Sequence, residues 1–160
     1  MKELPEDATR GLIDGSAFDA KASSAAGSFT LARIAMIKHH HFIGRFEVTN
    51  PPLEAEREYL RGWMAGLIKG QGMNVLSGPH VAHVDTPGNR GLTGVAIIET
   101  SHVAIHIWDE TSPALVQLDF YTCGTLDKEA ILKAIKPWGV VRNSFLVLDR
   151  ERDVVALEPV

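Results

Sequence analysis

From residue 39 onward the apolar positions follow two periods, and each change of period marks an element. His39–Val48, with Phe42, Ile43, Phe46 and Val48 as its apolar residues, predicts a first strand. Asn50-Pro51-Pro52 ends it, and Pro52 also suits the first turn of a helix. Over Leu53–Lys69 the residues Leu60, Trp63, Met64, Leu67 and Ile68 recur at i, i+3, i+4, i+7 and i+8. That is one face of an amphipathic helix. Glu54, Glu56 and Glu58 near its start complement the helix dipole, and Gly70 and Gly72 supply the stop.

Extended patterns then resume. Asn74–Val84 predicts a strand, Asp85-Thr86-Pro87-Gly88-Asn89 a loop, and Gly94–Ile98 a β-branched, buried strand. Val103, Ile105 and Ile107 alternate with His102, Ala104, His106 and Trp108, so His106 and Trp108 share a face. Over Leu115–Tyr121, Val116, Leu118 and Phe120 oppose Gln117, Asp119, Tyr121 and then Cys123. Asp127 is an N-cap for a second helix through Lys136, with Ile131, Leu132 and Ile135 as its apolar side. Gly139–Leu148 is a last strand, and Asp149–Val160 reads as a polar tail. The expected fold is α+β: a two-layer sandwich of an antiparallel sheet with helices on one face.

Composition narrows the class. The chain has 160 residues, 45% of them hydrophobic, which suits one domain with a real core. Residues 1–35 lack a durable period and are rich in Ala, Ser and Gly from Ser16 to Ser28, with a short apolar element expected at Leu31–Ile37. They read as a mobile N-terminal extension to a single domain at 36–160. A net charge of −4 gives no footprint for nucleic acid. No apolar run is long enough for a bilayer, and Met1–Asp7 opens no signal peptide. A single cysteine forms no intrachain disulfide and fits a reducing compartment. The expectation is a soluble, cytoplasmic protein.

Candidate chemistry concentrates between Gly91 and Gly124. Ser101, His102, His106, Asp119, Tyr121 and Cys123 fall at strand ends there. A Ser–His–Asp hydrolase is one reading, but no G-x-S-x-G nucleophile elbow is present. A Cys–His nucleophile pair is another. Metal sites fare worse. His102 and His106 stand about 13 Å apart along a strand, and His80 and His83 face opposite sides. The run His39-His40-His41 does not converge and reads as a strand start with exposed histidines. No metal is expected.

The same stretch carries a resemblance. Gly91-Leu92-Thr93-Gly94, then Ser101-His102-x-x-x-His106-x-Trp108, then Asp119-x-x-Thr122-Cys123-Gly124 resembles the prokaryotic S-adenosylmethionine decarboxylase family. The likeness runs over Lys38–Leu148, roughly two-thirds of the chain. It implies a self-processing proenzyme cut between Thr100 and Ser101, with Ser101 becoming a pyruvoyl group. It implies His106 as the processing base and Thr93 in the place of a processing serine. Cys123 matches the acid that reprotonates the substrate's α-carbon, while Trp108 and Glu110 match substrate-lining positions. The implied function is decarboxylation of the small molecule S-adenosylmethionine for spermidine synthesis, by a homodimer that binds neither nucleic acid nor membrane.

The chain departs from the family in three ways. Thr100 stands where the family has Glu before the processed serine, with Glu99 one earlier. Thr93 replaces a serine, and about two extra residues separate Trp108 from Cys123. Two alternatives therefore stay open: a pyruvoyl-dependent ornithine or arginine decarboxylase, and an unprocessed, non-catalytic paralogue that keeps Ser101.

Overall fold

A computed structural model describes residues 38–157. The expected extension over residues 1–35 and the apolar element at Leu31–Ile37 lie outside them. The first strand, β1 (His40–Val48), leads through a 3-10 turn at Glu54–Glu56 into α1 (Arg57–Gly70). Four strands follow: β2 (Val75–Val84), β3 (Gly91–Ile98), β4 (Ser101–Trp108) and β5 (Ala114–Thr122). Then come α2 (Lys128–Ile135), a 3-10 turn at Lys136–Trp138, β6 (Val140–Asp149) and β7 (Val155–Ala156). The described residues form one sheet in the order β2-β3-β4-β5-β1-β6-β7. Every pairing in it is antiparallel. The α+β sandwich is as the pattern predicts.

Alternation decides which face is covered. Phe42, Phe46 and Val48 of β1, Leu92, Ala96 and Ile98 of β3, Val103, Ile105 and Ile107 of β4, and Val116, Leu118 and Phe120 of β5 are all buried. They share one core with Leu60, Met64, Leu67 and Ile68 of α1 and with Ile131 and Ile135 of α2. The helix stripe thus lies on the sheet stripe. Gly94 marks a close approach, because a Cβ there would stand 2.6 Å from Met64 Sδ. Trp63 ties the two helices together. Its ring packs 4.6 Å from that of Trp138, and its indole N–H donates to the Ala134 carbonyl at 3.0 Å. Among the described residues, no element is layered over the opposite face. Ile43, Val95 and Ile97 are exposed on it.

Element ends differ from the pattern where backbone chemistry intervenes. The helix expected from Leu53 begins as a 3-10 turn, with Leu53 extended and its N–H bonded to the Glu56 carboxylate at 2.9 Å. Asp127 caps α2 by accepting from the Ala130 N–H at 3.1 Å. The β2 ladder is irregular between Ser77 and His80, where Pro79 has no N–H to donate. The tail is not wholly irregular. The Asp149 carboxylate accepts from Glu151 N–H at 2.8 Å and turns the chain, so Val155–Ala156 returns against Leu148 and Asp149.

Met64 is fully buried beneath Gly94. Met64→Ala should cost about 2–5 kcal/mol of stability, the range for deleting a buried side chain of this size. Urea denaturation of the purified protein checks it, and an unchanged midpoint would contradict the packing described.

Candidate active site

β3 and β4 are joined through only Glu99 and Thr100, with Ile98 paired to Ser101. So tight a hairpin demands positive φ close to the turn. Here it falls on Ser101, at φ 147°. Among the described residues, Ser101 is the only non-glycine residue with positive φ. For an L-residue this conformation costs on the order of 1–3 kcal/mol and persists only when its surroundings hold it.

The surroundings do hold it. Glu99 N–H donates to the Asn74 carbonyl at 3.1 Å, and Asn74 Nδ2 donates to the Glu99 carboxylate at 2.9 Å. The Thr100 carbonyl accepts from Cys123 N–H at 2.8 Å. Gly124 N–H donates to buried Thr122 Oγ1 at 2.9 Å, which donates to Thr100 Oγ1 at 3.0 Å, which donates to Met73 Sδ at 3.3 Å. The hydroxyl of Thr100 is thereby tethered, and its carbonyl is held by the backbone N–H of the sole cysteine.

Beyond the turn, on the uncovered face, lies a polar network. Ser101 Oγ is 3.2 Å from His102 Nδ1. Asp119, one strand over, sits between two imidazoles. His41 Nε2 is 2.8 Å from Oδ2. His102 Nε2 is 3.3 Å from Oδ1, near enough for an ion pair, although Oδ1 is buried and lacks an aligned hydrogen bond. Arg150 Nη1 is 3.3 Å from His41 Nδ1, and its guanidinium lies 4.5 Å over the Tyr121 ring. His39 Nδ1 meets the Tyr121 hydroxyl at 2.8 Å. The histidine run is therefore not merely an exposed strand start. His39 and His41 reach the open face, the His41 side chain being only 13% exposed, while His40 Nδ1 is buried without a partner.

A second group stands apart. Thr93 and His106 are cross-strand neighbours, with Thr93 Oγ1 3.0 Å from His106 Nδ1. The His106 ring stacks on Trp108 at 5.4 Å. Trp108 Nε1 donates to Asn89 Oδ1 at 2.9 Å. Glu110 accepts from Gly88 N–H at 2.9 Å and Arg90 N–H at 3.2 Å, closing the loop before β3. Arg90 Nε donates to Asp109 at 2.8 Å; that hydrogen bond, then the charge of Asp109, holds the guanidinium pKa above its usual value. His106 lies five residues along β4 from Ser101, about 16 Å at strand spacing. The chain thus brings Ser101, His102 and Asp119 together and joins Thr93, His106 and Trp108 as a separate set. An open cavity of about 570 Å³ spans both, lined among others by His102, His106, Asp119, Gln117 and Arg45.

Comparison with known proteins shows the family. The family model described as S-adenosylmethionine decarboxylase matches residues 40–138. The chain belongs to the S-adenosylmethionine decarboxylase family. Among relatives, the S-adenosylmethionine decarboxylase proenzyme of Persephonella marina is 38% identical over 85 residues, 50% of this chain and 59% of that protein. The proenzyme of a Sulfurihydrogenibium species is 34% identical over 107 residues, 64% of this chain and 72% of that protein. The fold is similar to the crystal structure of the adenosylmethionine decarboxylase from Aquifex aeolicus. That match has a TM-score of 0.55 and 26% identity over 79% of this chain and 99% of that one. The motifs around Thr93, Ser101, His106 and Cys123 lie within the matched region, on the uncovered face or at its rim. Sequence reading took His39 and His41 only as exposed histidines of a strand start and gave Arg150 no role. A signal existed for the two histidines, since residues two apart on a strand share a face.

Glu110→Ala removes the shared acceptor of the Gly88 and Arg90 amides. Their hydrogen exchange should accelerate about tenfold, as expected for losing hydrogen bonds to a charged group. Unchanged exchange at both amides would remove Glu110 from the support of this loop.

Proposed function

We propose that this chain is a proenzyme that cleaves itself between Thr100 and Ser101, and then decarboxylates S-adenosylmethionine with the pyruvoyl group left at position 101. The observation that carries the reading is the geometry of that one bond. Ser101 is held at φ 147°, and the Thr100 carbonyl is already polarised by Cys123 N–H at 2.8 Å. Attack by the Ser101 hydroxyl would place negative charge on the Thr100 oxygen, where this donor points. It would also relieve the strain stored at Ser101. Thr100 in place of Glu is no obstacle, because the attacked group belongs to the backbone and the side chain is tethered to Thr122 and Met73.

A pyruvoyl group at position 101 would supply a carbonyl that condenses with a substrate amine and accepts the electrons released with carbon dioxide. The residues fit such a group: it would form next to His102, which lines a cavity of about 570 Å³, a size ordinary for small-molecule sites. Cys123, adjoining the turn, would deliver a proton to the substrate's α-carbon. Trp108 offers an aromatic face and Glu110 a carboxylate to the substrate. The product would enter spermidine synthesis in the cytoplasm. Among the described residues, no helix is long and apolar enough to cross a membrane.

His106 is assigned the removal of the Ser101 α-proton, with Thr93 holding its ring. At about 16 Å along the strand, it cannot reach Ser101 of its own chain. We therefore assign it to Ser101 of a second copy, in a homodimer that covers Ile43, Val95 and Ile97.

Intact-mass measurement should find two fragments divided at Thr100–Ser101, the second with a blocked pyruvoyl end. Ser101→Ala should remain whole. A stable full-length mass for the unaltered chain would sink the reading in favour of an unprocessed paralogue. Carbon dioxide release should be seen with S-adenosylmethionine; release from ornithine or arginine instead would reassign the substrate. Cys123→Ser should still be cut but lose at least about tenfold in turnover. The dimer has its own check. A His106→Ala chain, uncut alone, should be cut when co-expressed with Ser101→Ala, and failure to be cut would exclude action across the interface.

A further inference from the structure

We propose that His102 is the base that takes the Ser101 hydroxyl proton in the first step of self-cleavage, and that Asp119, anchored by His41, positions the His102 ring. This rests on the self-cleaving reading above and adds to it the groups that begin the reaction. His106, too distant within one chain, is left for the later α-proton.

The tautomers follow from which partners can only donate and which can only accept. Arg150 only donates, so its contact at 3.3 Å requires a bare Nδ1 on His41. The His41 proton is then on Nε2 and goes to Asp119 Oδ2 at 2.8 Å. That leaves Oδ1, buried and without an aligned donor, facing His102 Nε2 at 3.3 Å. A carboxylate only accepts, so it favours the His102 tautomer with hydrogen on Nε2 and a bare Nδ1. Bare Nδ1 is the atom 3.2 Å from Ser101 Oγ. The hydroxyl donates, and the ring accepts.

Successive side chains on a regular strand point to opposite faces. Ser101 departs from regular strand geometry through its positive φ, and its hydroxyl meets the ring of the next residue. The strain that loads the scissile bond and the contact that activates the nucleophile therefore share one backbone angle.

The step balances. As Oγ bonds to the Thr100 carbonyl carbon, its proton passes to His102 Nδ1. The Thr100 oxygen takes the negative charge beside Cys123 N–H. When the carbon–nitrogen bond breaks, His102 returns the proton to the departing Ser101 nitrogen. The result is an ester linking the Thr100 acyl group to Ser101 Oγ, with a free amine on Ser101.

The titratable groups around the His102 ring are few. β5 presents Asp119 and Tyr121, the latter edge-on with ring centroids 5.7 Å apart. β1 presents His41 through Asp119, and Arg150 lies behind it over Tyr121. From β3 the register neighbour is Ile97, which is apolar. Asp119 is the charged group nearest the ring, at 3.3 Å from Nε2.

The experiment follows cleavage of freshly synthesised chain by intact mass over time, with and without hydroxylamine, which cuts esters but not amides. His102→Gln should cleave about 100-fold more slowly or worse, the scale of a lost general base. It should also stay whole in hydroxylamine, because no ester forms. The His102 side chain is about half exposed, so neither substitution removes core packing. His102→Gly should regain cleavage when imidazole is added. Asp119→Asn should cleave about tenfold more slowly, whereas Asp119→Glu, which keeps a carboxylate acceptor for His102 Nε2, should recover most of the rate. A wild-type rate in His102→Gln, or an ester that hydroxylamine cuts, would overturn the proposal while leaving self-cleavage intact. An unaltered rate in Asp119→Asn, or an Asp119→Glu chain no faster than Asp119→Asn, would overturn the positioning role. An unaltered chain that never cleaves would overturn the self-cleaving reading, and this proposal with it.

Discussion

The hydrogen bond from Cys123 N–H to the Thr100 carbonyl is the constraint on which the site depends. It ties the β3–β4 turn to the end of β5. With Asn74 holding Glu99 from the other side, the turn has no freedom to relax. A two-residue connection must place positive φ somewhere, and here it falls on a serine rather than a glycine. Strain on a nucleophilic residue, under a polarised carbonyl, is the observation behind the self-cleaving proposal.

The sheet supplies the rigidity behind that turn. β4 is flanked on both sides by full-length antiparallel partners, and the buried rows of β3, β4 and β5 lie on the stripes of α1 and α2. One face is thus committed to the core. The other is free to carry polar groups, and it carries them at register positions. Asp119 on β5 lies between His102 on β4 and His41 on β1, since adjacent strands are spaced closely enough for side chains to meet across them. The same regularity separates the two halves of the chemistry. Ser101 and His106 lie five positions apart on one extended strand that cannot fold back, which is why the proposed reaction draws His106 from a second protomer.

Much of the fold was legible along the chain. The i, i+3, i+4, i+7 row from Leu60 to Ile68 and the alternation through β3, β4 and β5 correspond to buried faces. The motif residues Thr93, Ser101, His106 and Cys123 could be found because their types and spacings are local. His41 could not be judged in the same way. Its role depends on Asp119, 78 residues away. Arg150 is farther still, 109 residues from His41, in a segment that reads as a polar tail. The short β7 was missed for a related reason: two residues cannot show a period, and only the Asp149 turn brings them back.

The sequence by itself determined the alternation of elements, the apolar face of each and the presence of the family's reactive residues, because these depend on neighbours within a few positions. Tertiary structure decided which reactive residues meet. It placed the left-handed angle on Ser101, put Cys123 N–H on the Thr100 carbonyl, gathered His41, His102 and Asp119 beside the Thr100–Ser101 bond, and left His106 out of reach. Those outcomes depend on strand order and register, which are set when the whole sheet closes over its helices and which no local pattern encodes.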